Sequence, residues 1–128
     1  MKNLSMAVVV REGRVLIQER FRRSEGMVLE FPGGSIDSGE TPEIAAAREL
    51  WEETGLEQLA VKGAFQAENE FGGEIHYVVF EGNRSTTPTE VDSTRQQTFF
   101  WFEPTQIPVD EFHAADADFI ENQLEQFL

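Results

Sequence analysis

The chain has no cysteine, which excludes a disulfide framework, a thiol nucleophile and a thiolate metal site. It has no apolar run approaching the roughly 18 residues of a membrane span, and no leader with a charged start, apolar middle and small-residue cleavage site. A soluble, cytoplasmic protein with no membrane association is therefore expected. Cations are scarce: 10 Lys and Arg against 24 Asp and Glu leave a formal charge of −14, and no Lys or Arg follows Arg95. Such a surface lacks the basic footprint that binding to a nucleic-acid polymer requires. The two histidines, His76 and His113, do not stand at ligand spacing. A metal held here must then be a hard ion on oxygen ligands. Internal repeats and linkers are also missing.

What is present suits a single domain over residues 1–128, with 40% hydrophobic and 27% charged residues. Residues 4–10 (LSMAVVV) and 15–19 read as strands joined by a tight turn at Glu12-Gly13. Residues 20–26 read as a polar loop, and 27–31 as a short strand running into Pro32-Gly33-Gly34. Further strands are predicted at 59–67 and 74–80 about a turn at Gly72-Gly73, and a Ser-, Thr- and Pro-rich loop at 83–93. Residues 97–102 form an aromatic strand whose Phe99, Phe100 and Phe102 are expected to fill core more than to stack on a ligand. Residues 116–128 form an amphipathic helix that Asp116 could cap. Strands interleaved with two packing helices predict an α/β fold with a mixed sheet covered on both faces.

The most informative stretch is 33–56, GGSIDSGETPEIAAARELWEETGL. Thr41 can cap a helix, Pro42 suits its first position and Gly55 can close it in a left-handed conformation, which predicts a helix over 42–54. At about 100° per residue, Glu49, Glu52 and Glu53 share one arc, and Ile44, Ala46, Ala47, Leu50 and Trp51 fill the other, read as the packing face. Like charges at i, i+3 and i+4 repel, so helix stability does not account for the glutamates. A bound divalent cation would.

The spacing is Gly34, five residues, Glu40, seven residues, then Arg48, Glu49, Leu50, Glu52, Glu53, Gly55 and Leu56: nine specified positions within 23 residues. This resembles the Nudix box at every fixed position. The resemblance implies a Nudix-type α/β/α sandwich and metal-assisted hydrolysis of a diphosphate-linked nucleotide by Mg²⁺, with Mn²⁺ as the alternative ion. It implies metal coordination by Glu49, Glu52, Glu53 and the Gly34 carbonyl, with Arg48 orienting the carboxylates and Glu40 in the same ionic network. The base is either a box glutamate, for which Glu49 is the choice, or a glutamate from a distant loop. Many MutT-like members carry a Glu or His before the tryptophan of the late aromatic strand. Here Arg95, Gln96 and Gln97 stand there instead, and Glu90 and Asp92 are displaced.

The segment 29–43 (LEFPGGSIDSGETPE), which includes Phe31, resembles the MutT-like branch, which converts nucleoside triphosphates to monophosphate and pyrophosphate. Arg20 lies where that branch contacts the nucleotide. Asp116 falls where related pyrimidine triphosphate hydrolases read the base. Arg20, Phe31 and Asp116 are thus the expected substrate-binding residues. The partner is expected to be a small nucleotide, and the assembly a monomer or homodimer. Nucleotide-sugar or ADP-ribose hydrolysis is the alternative activity. A nucleotide-sensing Nudix module without catalysis is the alternative of another class.

Overall fold

A computed structural model describes residues 2–69 and 72–128. The first strand, β1 (Leu4–Arg11), runs through the middle of a mixed sheet. Ala7, Val8, Val9 and Val10 are all buried because both faces of this strand are covered, which is why its sequence is a continuous apolar run rather than an alternation. Glu12 and Gly13, both at positive φ, make the tight turn into β2 (Arg14–Arg22).

β1 and β2 pair only at Val10–Val15 and Arg11–Arg14, and then diverge. Below that fork each takes a different neighbour on the edge it has vacated. β3 (Gly26–Glu30) pairs with Gln18 to Arg22 of β2, and the short β4 (Gly33–Ser35) pairs with Leu4 to Met6 of β1. The segment read as a polar loop from Arg20 is therefore strand as far as Arg22. Its polar residues are tolerated because the strand end is not buried on both faces.

On its other edge β1 pairs in parallel with β6 (Glu74–Glu81), which in turn pairs with β5 (Ala60–Glu68). β7 (Thr98–Phe102) closes the far edge of β2. Glu70 and Phe71, at the β5–β6 connection, lie outside the described residues, although Asn69 and Gly73 bracket it with a backbone hydrogen bond of 2.8 Å.

One face of the sheet carries α1 (Pro42–Thr54) over Ala7, Val9, Leu16, Val78 and Phe80. The other carries α2 (Ala114–Asn122) over Val8, Val10, Ile17, Tyr77 and Val79. This is the expected α/β/α sandwich. Thr41 caps α1 by accepting from the Ile44 N–H at 3.2 Å, and Gly55, at φ 77°, ends it.

The packing face of α1 differs from the one expected. Ala45, Ala46, Leu50 and Glu53 are buried, whereas Ile44 and Trp51 are 56% and 55% exposed. The stripe is rotated because it must bring a carboxylate, not the two largest apolar side chains, against the sheet. The last helix is also shorter than expected: α2 begins at Ala114 with His113 as its N-cap, and a 3-10 turn at Leu124–Phe127 follows. Asp116 lies inside the first turn, which rules out its capping role.

Candidate active site

The fork between β1 and β2 positions the site. β4 occupies it, and α1 enters directly after, with its first turn tied to β1 by a 2.6 Å hydrogen bond from Ser5 Oγ to the Pro42 carbonyl. Gly34 then lies against Glu49 of α1: a Cβ at position 34 would meet Glu49 Oε1 at 2.7 Å. Only glycine allows that approach.

Arg48 organises the exposed side. It grips Glu40 through two hydrogen bonds of 2.7 and 2.9 Å, donates from Nη1 to Glu49 Oε1 at 3.0 Å and Glu52 Oε2 at 3.3 Å, and reaches the Ser35 carbonyl at 3.1 Å. The bidentate grip holds the Glu40 carboxyl below the usual range. Arg48 thus touches Glu40, Glu49 and Glu52 at once, as a positioning residue would.

Glu53 faces inward and is 3% exposed. Its Oε1 accepts from Gln18 Nε2 at 2.8 Å and its Oε2 from the Gly33 N–H at 2.9 Å. Burial first, and then the neighbouring Glu49 carboxylate, push the Glu53 carboxyl up to about 8 against the lowering effect of those two donors. Gln97 completes this inner layer, donating from Nε2 to Gln18 Oε1 at 2.9 Å and to the Glu53 carbonyl at 2.8 Å.

Among the described residues, no three carboxylate or imidazole groups already converge as a closed metal cage. Arg48 holds Glu52, while Gln18 and Gly33 hold Glu53. Beside Gly34 the half-buried Glu49 faces the buried Glu53, an all-oxygen set in which two carboxyls oppose each other. That arrangement suits a cation such as Mg²⁺, which keeps several of its waters.

A family model of the NUDIX domain matches residues 1–123. The chain belongs to the Nudix family. It is 34% identical over 119 residues to an oxidized purine nucleoside triphosphate hydrolase of Danio rerio, covering 90% of this chain and 74% of that protein. It is 38% identical over 100 residues to an RNA pyrophosphohydrolase of Caulobacter vibrioides, covering 78% of this chain but only 54% of the relative. A solved MutT Nudix hydrolase from Burkholderia pseudomallei superposes with a TM-score of 0.68 at 28% identity, over 95% of this chain and 97% of that one. This Nudix chain is accordingly a pyrophosphohydrolase acting on nucleotide-like substrates. Among its described residues no helix is long and apolar enough to cross a membrane.

The remaining expected residues of this Nudix hydrolase fall in different places. Arg20, on β2, approaches Glu53 Oε1 at 3.8 Å and Glu30 Oε1 at 3.9 Å. Asp116 is 5% exposed and accepts a 2.6 Å hydrogen bond from the Tyr77 hydroxyl. Burial raises its carboxyl, and burial together with the Asp116 charge raises the Tyr77 phenol. Asp116 nonetheless lines a cleft of about 770 Å³, which Gly33, Gly34, Arg22 and Glu30 line as well.

Phe31 corrects the expectation that it binds substrate. It is 1% exposed, and its ring sits among Tyr77, Phe112 and Phe119, in the core rather than on the cleft surface. Glu90 and Asp92 have structural tasks: Glu90 accepts from the Gln97 N–H at 2.8 Å, and Asp92 accepts from Thr94 N at 3.0 Å.

Gln18, Glu30 and Gln97 were missed in the sequence. Gln18 carried a signal, because it breaks an apolar run on the same strand face as buried Leu16, and a polar side chain there needs a partner. Arg48→Gln is expected to lower metal affinity by about 10–100-fold. The reason is that Glu49 and Glu52 would lose the guanidinium fork that orients them. Activity measured against Mg²⁺ concentration checks this through a rightward shift of the curve.

Proposed function

We propose that this protein hydrolyses a nucleoside triphosphate to monophosphate and pyrophosphate in a metal-dependent reaction. The observation that supports it most is the position of Gly34, which belongs both to the cleft and to the contact with Glu49. A nucleotide lying in the cleft with its phosphates toward Gly33-Gly34 brings an anhydride to the Glu49–Glu53 pair and its base toward Asp116. The cleft volume of about 770 Å³ is of nucleotide scale.

Mg²⁺, or Mn²⁺ in its place, held by Glu49, Glu52, Glu53 and the Gly34 carbonyl, would neutralise phosphate oxygens and acidify a water. Arg48 holds Oε1 of Glu49, which leaves Oε2 to take the proton of the attacking water. Gln18 and Gly33 fix the Glu53 carboxyl in one orientation, so little reorganisation is needed during the reaction. Among the described residues, Glu90 and Asp92 accept hydrogen bonds from their own loop, from the Gln97 N–H and the Thr94 N–H, which favours Glu49 over them as the base.

Tyr77 occupies Oδ1 of Asp116, and the other oxygen can accept from the exocyclic amine of cytosine or guanine. A panel of ordinary, oxidised and methylated nucleoside triphosphates, ADP-ribose and nucleotide sugars tests this reading. Phosphate is measured after pyrophosphatase for the triphosphates and after phosphomonoesterase for the rest. Triphosphates should be cleaved best. Asp116→Asn preserves an acceptor for Tyr77 but presents an amide to the base, and should change the ratio of kcat/KM between bases by about tenfold. Turnover confined to ADP-ribose or nucleotide sugars would replace the reading, and no turnover at all would make the protein a sensor.

A further inference from the structure

Behind the carboxylate pair, three side chains from separate parts of the fold form one hydrogen-bonded chain. Gln18 on β2, Glu53 on α1 and Gln97, just before β7, are all buried. Gln97 Nε2 donates twice, to the Glu53 carbonyl at 2.8 Å and to Gln18 Oε1 at 2.9 Å. Gln18 Nε2 donates in turn to Glu53 Oε1 at 2.8 Å, and reaches Glu30 Oε1 at 3.3 Å.

The polarity of this chain is set at one end. A backbone carbonyl can only accept, so the Gln97 amide must turn its NH₂ toward Glu53. The same NH₂ faces Gln18, which therefore presents its oxygen to Gln97 and its own NH₂ to the Glu53 carboxyl. Gln97 keeps this orientation although its Oε1 has no hydrogen-bond partner among the described residues, so the two donor contacts decide it. A glutamine side chain has much rotamer freedom to lose. Held at both ends of its amide, Gln18 offers Glu53 a donor in one fixed place.

Gln97 is itself placed by a loop that returns to the same helix. Its N–H donates to Glu90 Oε2 at 2.8 Å, and the Thr89 N–H donates to the Thr54 carbonyl at 2.8 Å. Glu53 and Thr54 carry two of the last-turn carbonyls that a helix leaves without internal partners. The loop thus braces the end of α1, and one of its amides reaches both the backbone of Glu53 and, through Gln18, the carboxyl of the same residue.

We infer that Gln97 is a positioning residue for the metal-assisted reaction: acting through Gln18, it holds the Glu53 carboxyl in the orientation that receives the cation. This rests on the proposed place of Glu53 in metal binding, and extends it to a residue 44 positions further along the chain.

Calorimetric titration of the full chain with Mg²⁺ alone tests this without turnover. Gln97→Met keeps the length of the side chain and removes its donors, and should bind Mg²⁺ about tenfold more weakly. Gln18→Met should lose a similar factor. The double variant should stay within about twofold of either single variant, because the two amides act as one unit. A side chain that merely fills space would give a lower Tm with unchanged Mg²⁺ affinity, or a double variant weakened by the product of the single losses; either result would overturn the inference. In the wild-type protein the side-chain amide NMR signals of Gln18 and Gln97 should shift on Mg²⁺ addition with one midpoint. Should Gln97→Met fail to fold, a Gln97 signal that stays still while Mg²⁺ binds would overturn the inference by itself. A wild-type chain that binds no Mg²⁺ would overturn the metal-dependent reading and this inference with it, whereas undiminished binding in Gln97→Met would overturn this inference alone.

Discussion

Glu53→Gln should give a folded protein whose kcat is lower by at least about 10²–10³-fold at saturating Mg²⁺. Glu53 supplies the innermost negative charge of the carboxylate pair, and an amide of the same shape cannot replace that charge. The variant has one structural cost. Gln18 Nε2 and the Gly33 N–H both donate to position 53, and an amide offers one oxygen, so one N–H must face another donor. That mismatch costs about 1–3 kcal/mol. It is offset by relief of a buried carboxyl crowded against Glu49, so circular dichroism should show a native spectrum and a small change in Tm. Near wild-type turnover would remove Glu53 from the metal-binding set.

Without divalent metal, the protein should lose stability as pH rises from about 5 to about 9. The Glu53 carboxyl titrates near 4.5 when unfolded and is pushed up to about 8 in the native protein. Between those values the native state holds a proton that the unfolded chain has released, so the unfolding free energy falls with rising pH. The stabilisation is complete below about pH 4.5 and gone above about pH 8. At the proposed metal site saturating Mg²⁺ would replace the proton as the partner of the carboxyl pair and flatten the profile, as should Glu53→Gln. Scanning calorimetry at pH 5, 7 and 9, in chelator and in Mg²⁺, checks this. A profile in chelator that matches the Glu53→Gln profile would show that no such proton is held.

The parts of this molecule that the sequence made legible are those whose causes are local. Thr41, Pro42 and Gly55 bound α1 at the expected residues because caps act within one turn. The apolar run of residues 4–10 read as a strand, and β1 spans Leu4–Arg11. Other features depend on residues far apart in the chain. Gln18 and Gln97 are 79 positions apart and meet only because β7 docks on β2. The arginines beyond Glu19 looked like loop because their strand partner, β3, is itself short and weakly apolar. The rotation of α1 was misjudged because hydrophobicity alone assigns Trp51 to the interior, whereas the fork demands a carboxylate there. Phe31 and Asp116 showed the same limit: residue type and motif position suggested contact with a ligand, and neighbours from α2 and β6 determine how much of each side chain is accessible.

The parallel seam between β1 and β6 has a bearing on synthesis by the ribosome. β1 emerges early, but Leu4 must wait for Ile75, and Val10 for Glu81, before that edge is paired. α1 emerges before β6, which supplies Val78 and Phe80 to the layer beneath it. A nascent chain arrested before Glu74 therefore presents an open apolar edge, the kind of surface through which incomplete chains associate. The helix bearing the carboxylates gains its full support later still, when Gln97, Phe99 and Trp101 have been made.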